Sequence, residues 1–205
     1  MKIAEKSGGV RHNFGTNRFG VIVSRSVYYL TGMGGRLVEG LGAALLARQV
    51  QLDGRELSGE FRRLDFQNQI DLVSGDLMAR HWTEESLVIA NSFGAYLFLH
   101  AQSQLPKYVG RVVLLSPIVG EFCDSEMMMY FCPPRADKLL ALACEGRFVV
   151  PDRLEIYVGQ DDWQSDPESV GKLFQHTKAA VTIVPDAGHM LPKAFVGKLL
   201  DKLIV

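Results

Sequence analysis

Nowhere does the 205-residue chain string together the roughly eighteen apolar residues that a membrane-crossing helix requires, so no span is expected. An excess of positive charge is missing too. Lys and Arg number 22 against 23 Asp and Glu, which leaves little to neutralise a phosphate backbone, so nucleic acid is not expected as a partner. Cysteine is scarce: Cys123, Cys132 and Cys144 cannot all pair with one another. No Cys-x-x-Cys pair or Cys/His cluster has the spacing of a metal site. The expectation is free, buried thiols in a reducing compartment and no bound metal. The opening stretch, MKIAEKSGGVRHNFG, lacks the apolar core of a secretion signal, which makes the cytoplasm the expected location. No repeat and no domain linker is visible. The length suits one domain over residues 1–205, with the polar, Gly- and Asn-rich residues 1–19 as an N-terminal arm.

What the chain does contain is an alternation. Apolar, β-branched runs of strand length stand at VIV (21–23), VYYL (27–30), VQL (50–52), SLVIA (86–90), RVVLLSP (111–117), RLEIYVG (153–159) and AVTIVP (180–185). Between and after them lie stretches with helical spacing at 36–49, 66–82, 94–102, 166–177 and 193–205; Phe66, Ile70, Val73 and Leu77 share one helical face. The later strands are apolar on both faces, as strands are when crossover helices cover both sides. This pattern predicts an α/β fold: a mostly parallel, doubly wound sheet with helices on both faces. In such sheets ligands bind at the carboxyl ends of the strands.

Those ends carry chemistry. VYYL is followed by Gly32-Met33-Gly34-Gly35, and SLVIA by Asn91-Ser92-Phe93-Gly94. RLEIYVG leads into Gln160-Asp161-Asp162, and the last strand into Asp186-Ala187-Gly188-His189. A serine, an acid and a histidine thus fall, in that order, along one edge. A serine raised on a tight strand-to-helix turn has an exposed Oγ and needs small neighbours two positions to either side, which Ala90 and Gly94 supply. The helix that follows also aims its free N–H groups at the same place. Ser116 is the competing serine, but a proline follows it and no glycine stands two residues on. His12, His81, His100 and His176 read as surface or packing residues.

These motifs resemble those of the α/β-hydrolase superfamily. Ala90-Asn91-Ser92-Phe93-Gly94 is similar to its G-x-S-x-G nucleophile elbow, with Ala90 where glycine is commoner. VGQDDW resembles its acid turn, PDAGHML its closing histidine loop, and YYLTGMGG its oxyanion-hole loop, with Thr31 where many members carry histidine. The resemblance covers about residues 21–205. It implies Ser92 as nucleophile, His189 as general base and Asp162 as the orienting acid, with Asp161 as the alternative. It implies an oxyanion hole of the Met33 and Phe93 N–H groups, Gly34 rivalling Met33. It further implies a short cap-like insertion at 118–150, in which Met127, Met128, Met129, Tyr130 and Phe131 either contact substrate beside Gly32 and Gly34 or simply pack. The implied activity is a serine esterase or thioesterase acting on a small acyl ester or thioester, with no cofactor. Two alternatives stand beside it. One is an NAD(P)-binding oxidoreductase that would use the Gly32–Gly35 loop with Asp53 at the end of the next strand. The other is a non-catalytic binding protein on the same fold.

Overall fold

The computed structural model describes residues 25–124 and 128–204. The expected arm (1–19), the strand expected at 21–23, His12 and Met127 lie outside the described residues. In chain order the elements are β1 (Ser26–Met33), α1 (Gly40–Leu46), β2 (Gln51–Leu57), α2 (Gly59–Arg63), α3 (Phe66–Arg80), β3 (Leu87–Asn91) and α4 (Phe93–Gln102). There follow β4 (Arg111–Leu115), β5 (Phe122–Asp124), β6 (Met129–Phe131), α5 (Lys138–Cys144), β7 (Arg153–Gly159), α6 (Pro167–Phe174), β8 (Ala180–Val184) and α7 (Lys193–Leu203).

Six strands form one sheet in the order β2-β1-β3-β4-β7-β8, and every neighbouring pair is parallel. The period-two alternation of each strand divides its apolar residues between two cores. Tyr28, Leu30, Val88, Val112, Leu114 and Ile156 face α3, α4 and α6. Val27, Tyr29, Leu87, Ile89, Val113 and Leu115 face α1 and α7. Helix α4 is buried along its whole length, which explains why its sequence is apolar all round rather than on one stripe. From β1 the chain moves outward to β2, then crosses back to β3 on the other side. The switch in winding direction therefore lies between β1 and β3, where ligand crevices form in doubly wound sheets.

Three expectations need correction. The strand expected at 50–52 continues through Asp53-Gly54 to Leu57. That dipeptide reads as a turn, but here the missing Cβ is needed for strand contact: at Gly54 it would stand 1.9 Å from the Tyr29 carbonyl oxygen. The helix expected at 36–49 forms only over 40–46, because Gly40 takes a left-handed φ of 51° and breaks the run. The three thiols are free, as expected, but exposed rather than buried, since all three lie in the 122–144 stretch outside the main sheet. Among the described residues no helix is long and apolar enough to cross a membrane.

Candidate active site

Ser92 occupies the turn between β3 and α4 at φ 53° and ψ −122°, a conformation that side chains other than glycine adopt only under strain. The turn is held from outside. The Ser92 N–H donates to the Leu115 carbonyl at 3.0 Å, and the Ser92 carbonyl accepts from Ala95, Tyr96 and Ile118 N–H groups. Gly94 is required by contact: a Cβ there would sit 2.4 Å and 2.5 Å from the carbonyl oxygens of Thr31 and Leu30. Serine is thereby presented at the mouth of the crevice instead of being swallowed by the turn.

The acid turn and the histidine loop are fastened to each other. Gln160 N–H donates to Val184 O at 2.9 Å, and Asp161 N–H to Ala187 O at 2.9 Å. Gly159 permits this approach, for a Cβ there would lie 2.2 Å from Ala187 O. His189 stands with Nε2 2.9 Å from Ser92 Oγ and Nδ1 3.0 and 3.1 Å from the two Asp162 carboxylate oxygens. Asp162 is 1% exposed. Burial alone would raise its carboxyl group, but hydrogen bonds from His189 and the Ser165 N–H hold it below the ordinary carboxylate range. An ionised carboxylate only accepts, so Nδ1 is the donor to Asp162. In the neutral imidazole so oriented, Nε2 is the nitrogen that accepts from the Ser92 hydroxyl.

The structure therefore brings together Ser92, His189 and Asp162. Asp161 is exposed, and no described hydrogen bond joins its side chain to His189. His189 makes no described bond to Ser116, which lines the same cavity. Ser165, Asn91 and Thr31, none of which the sequence assigned a role of its own, complete the site. Ser165 is fully buried; its N–H donates to Asp162 Oδ1 at 2.9 Å, and its Oγ lies 3.4 Å from His189 Nδ1. Asn91 Oδ1 accepts from Tyr29 Oη at 2.8 Å and from the Gly32 N–H at 3.1 Å. Thr31 Oγ1 accepts from the Leu57 N–H at 2.9 Å. Asn91 and Thr31 thus pin the Gly-rich loop from both sides. Only the Asn-Ser dipeptide hinted at such a role, and nothing in the local sequence pointed to Ser165.

Within that loop, Gly32 N–H is committed to Asn91, Gly34 N–H to the Leu57 carbonyl at 2.9 Å, and Gly35 N–H to the Gly32 carbonyl at 2.9 Å. Of the four residues 32–35, Met33 is left with an N–H that none of these bonds uses. A cavity of about 530 Å³ opens on Ser92, between α1 on one side and the segment from His189 into α7 on the other. Gly32 and Met33 line it, but Gly34 does not. Past Met33 lies a second cavity of about 210 Å³, whose walls include Phe66, Phe93 and Phe131.

Of the described residues expected in a substrate-contacting cap, only Phe131 reaches either cavity. Met128 is 92% exposed, and Met129 and Tyr130 are exposed as well. β5 and β6 form a separate antiparallel hairpin; its alternation turns Phe131 inward against Phe122 and Phe93 and leaves Tyr130 outside, donating to Glu121. Asp53 stands mid-strand in β2, paired with Arg80 at 3.0 Å and His81 at 3.1 Å, not free at a strand end. The Gly-rich turn is separated from α1 by residues 36–39, so the helix does not begin directly at the turn as in a dinucleotide fingerprint. Among the described residues no cluster of His, Cys, Asp and Glu could hold a metal ion.

No protein-family model matches the chain, and no curated protein does. Solved structures do. A structure from work on carboxylesterases of the thaumarchaeon Nitrososphaera gargenis superposes with a TM-score of 0.60 at 13% identity, covering 88% of this chain and 90% of that one. Carboxylesterase CesB from Bacillus subtilis gives 0.60 at 13%, over 90% of this chain and 85% of that one. An uncharacterized protein from Bacillus cereus ATCC 10987 gives 0.57 at 13% over 93% of this chain, which spans only 62% of that protein's length. The mouse alpha/beta hydrolase domain-containing protein 10 likewise superposes with a TM-score of 0.60 at 12% identity, over 87% of this chain and 89% of that one. The fold is the α/β-hydrolase fold.

Proposed function

We propose that this protein is a serine hydrolase of small carboxylic esters or thioesters. The observation that carries the reading is the unbroken hydrogen-bond series Ser92–His189–Asp162 opening onto a cavity of about 530 Å³. Ser92 Oγ attacks the acyl carbonyl carbon as His189 Nε2 takes its proton, while Asp162 stabilises the imidazolium. The oxyanion is received by the N–H groups of Met33 and Phe93, each worth about 3–4 kcal/mol in comparable sites. Gly34 is disfavoured as donor because its N–H is already bonded to Leu57. The C–O or C–S bond to the leaving group breaks as His189 returns the proton to it. Water, deprotonated by His189, then attacks the acyl-enzyme, releasing the acid and restoring Ser92. No cofactor enters any step. We read residues 1–205 as one hydrolase domain located in the cytoplasm, with 118–150 as a short insertion.

The likeness to solved carboxylesterases supports this reading. Its test is steady-state turnover of p-nitrophenyl acetate and butyrate. Ser92→Ala should abolish turnover, Asp162→Asn should lower kcat by roughly 10⁴-fold, and Asp161→Asn should leave it unchanged. Wild-type rates in Ser92→Ala would refute the assignment.

A further inference from the structure

We propose that the groove between α1 and α7 binds an aliphatic arm of the ester that carries no positive charge, and that Gly197 sets its bore; this rests on the serine-hydrolase reading. The two helices turn small residues toward the cavity, Gly40 and Ala44 on α1 and Gly197 on α7. Glycines in this fold are of two kinds. At Gly42 a Cβ would stand 2.1 Å from the Leu37 carbonyl, so the backbone forces that glycine. At Gly197 the nearest atom to a Cβ is the Arg48 guanidinium, 3.9 Å away, and no left-handed φ demands glycine. A glycine inside a helix weakens that helix relative to alanine. Neither packing nor backbone geometry accounts for Gly197, and the open volume beside Ser92 does.

The two walls are held at a fixed separation. Arg48, one turn beyond Ala44, donates to the Ala44 carbonyl at 2.8 Å, the Gly197 carbonyl at 3.0 Å and Asp201 at 2.6 Å. Leu41, Leu191 and Val196 add apolar surface to the groove, which favours each methylene taken from water. Among the described residues Lys193 is the one permanently charged side chain lining the cavity, and no carboxylate of theirs lines it. A cationic arm would meet like charge without a partner.

The test compares wild type, Gly197→Leu, Gly197→Ala and the control Gly171→Leu, whose glycine lies in α6 with open space around it. Two substrate series are used: p-nitrophenyl esters of lengthening acyl chain, and acetate esters of lengthening alcohol. In one series the kcat/KM ratio of eight-carbon to two-carbon arms should fall about tenfold or more in Gly197→Leu and hold in Gly171→Leu. The series that responds identifies the arm as acyl or alcohol. Gly197→Ala should shift the preference the same way while melting no lower than wild type, since alanine favours the helix. Unchanged ratios in both series would overturn the proposal, as would a choline ester cleaved as fast as its uncharged 3,3-dimethylbutyl counterpart. Binding of octanoate and 1-octanol to Ser92→Ala, measured by NMR titration, tests the groove without turnover. Adding Gly197→Leu should weaken one of them about tenfold, and undiminished affinity for both would sink the groove even in an active enzyme. Lost binding alongside an inactive wild type would instead leave the groove standing and remove the hydrolase reading.

Discussion

Ser92 is held at a backbone conformation that a side chain makes costly, and the residues beside it exist largely to hold it there. Replacing it with glycine, which tolerates φ 53°, should stabilise the fold by about 1 kcal/mol relative to Ser92→Ala, since a strained non-glycine residue costs on the order of 1–3 kcal/mol. Urea melts of the two variants read the difference directly, and equal midpoints would deny the strain. Asn91 acts through its neighbours. Its side-chain oxygen joins the nucleophile turn to the Gly32 N–H and to Tyr29, so Asn91→Ala should loosen the proposed oxyanion donor at Met33. The expected signature is a kcat lower by roughly 10–100-fold with KM nearly unchanged. Asn91→Asp keeps both accepted bonds and should still fold with the wild-type melting temperature. A loss confined to KM would show that Asn91 touches substrate instead.

At the scale of elements, the strand ends were the legible part of the sequence. SLVIA is a continuous apolar run of strand length and RLEIYVG alternates apolar with polar residues, and the polar residues that follow them fall at the sheet edge where the structure places them. Asp162 was the acid expected from its spacing after Gly159, and its meeting with His189 depends on how the turn after β7 folds onto the histidine loop, a contact between segments distant in sequence. Asp53-Gly54 misled because its glycine serves contact with Tyr29, not a turn. Tyr130 misled because a hairpin's inward face is fixed by register, which a short, aromatic-rich stretch does not announce, and Met128 precedes the strand at a left-handed φ of 47°. The close approach of α4 to β1 is another such contact: a methyl group at Gly94 would overlap two carbonyl oxygens of β1. Gly94→Ala should therefore cost about 1–3 kcal/mol in a denaturant melt, and a neutral outcome would mean that β1 and α4 can part without penalty.

Across the whole molecule, the sheet's switch in winding direction sets the loop after β1 beside the turn after β3, and the two-sided core holds that crevice rigid. Acid should weaken this arrangement. His100 is fully buried on α4 against Phe66 and Tyr96. Desolvation, aided by Arg135 and Lys138, pushes its pKa down to about 3. The unfolded chain then binds a proton below about pH 6.5 that the folded chain refuses, so stability falls as pH drops from there toward 3, by about 2 kcal/mol at pH 5. Asp162, depressed when folded, adds stability that is likewise lost in acid. Chemical denaturation at pH 7 and pH 5 should show the decline, and His100→Leu should flatten it. An equal decline in that variant would place the acid sensitivity elsewhere.

The most direct measurement is the intact mass of the protein after exposure to a fluorophosphonate, which modifies only an activated serine. The account predicts a single adduct that maps to Ser92, is absent from Ser92→Ala, and forms far more slowly in His189→Ala. Wild-type protein that stays unmodified, or an adduct that persists in Ser92→Ala, would contradict it.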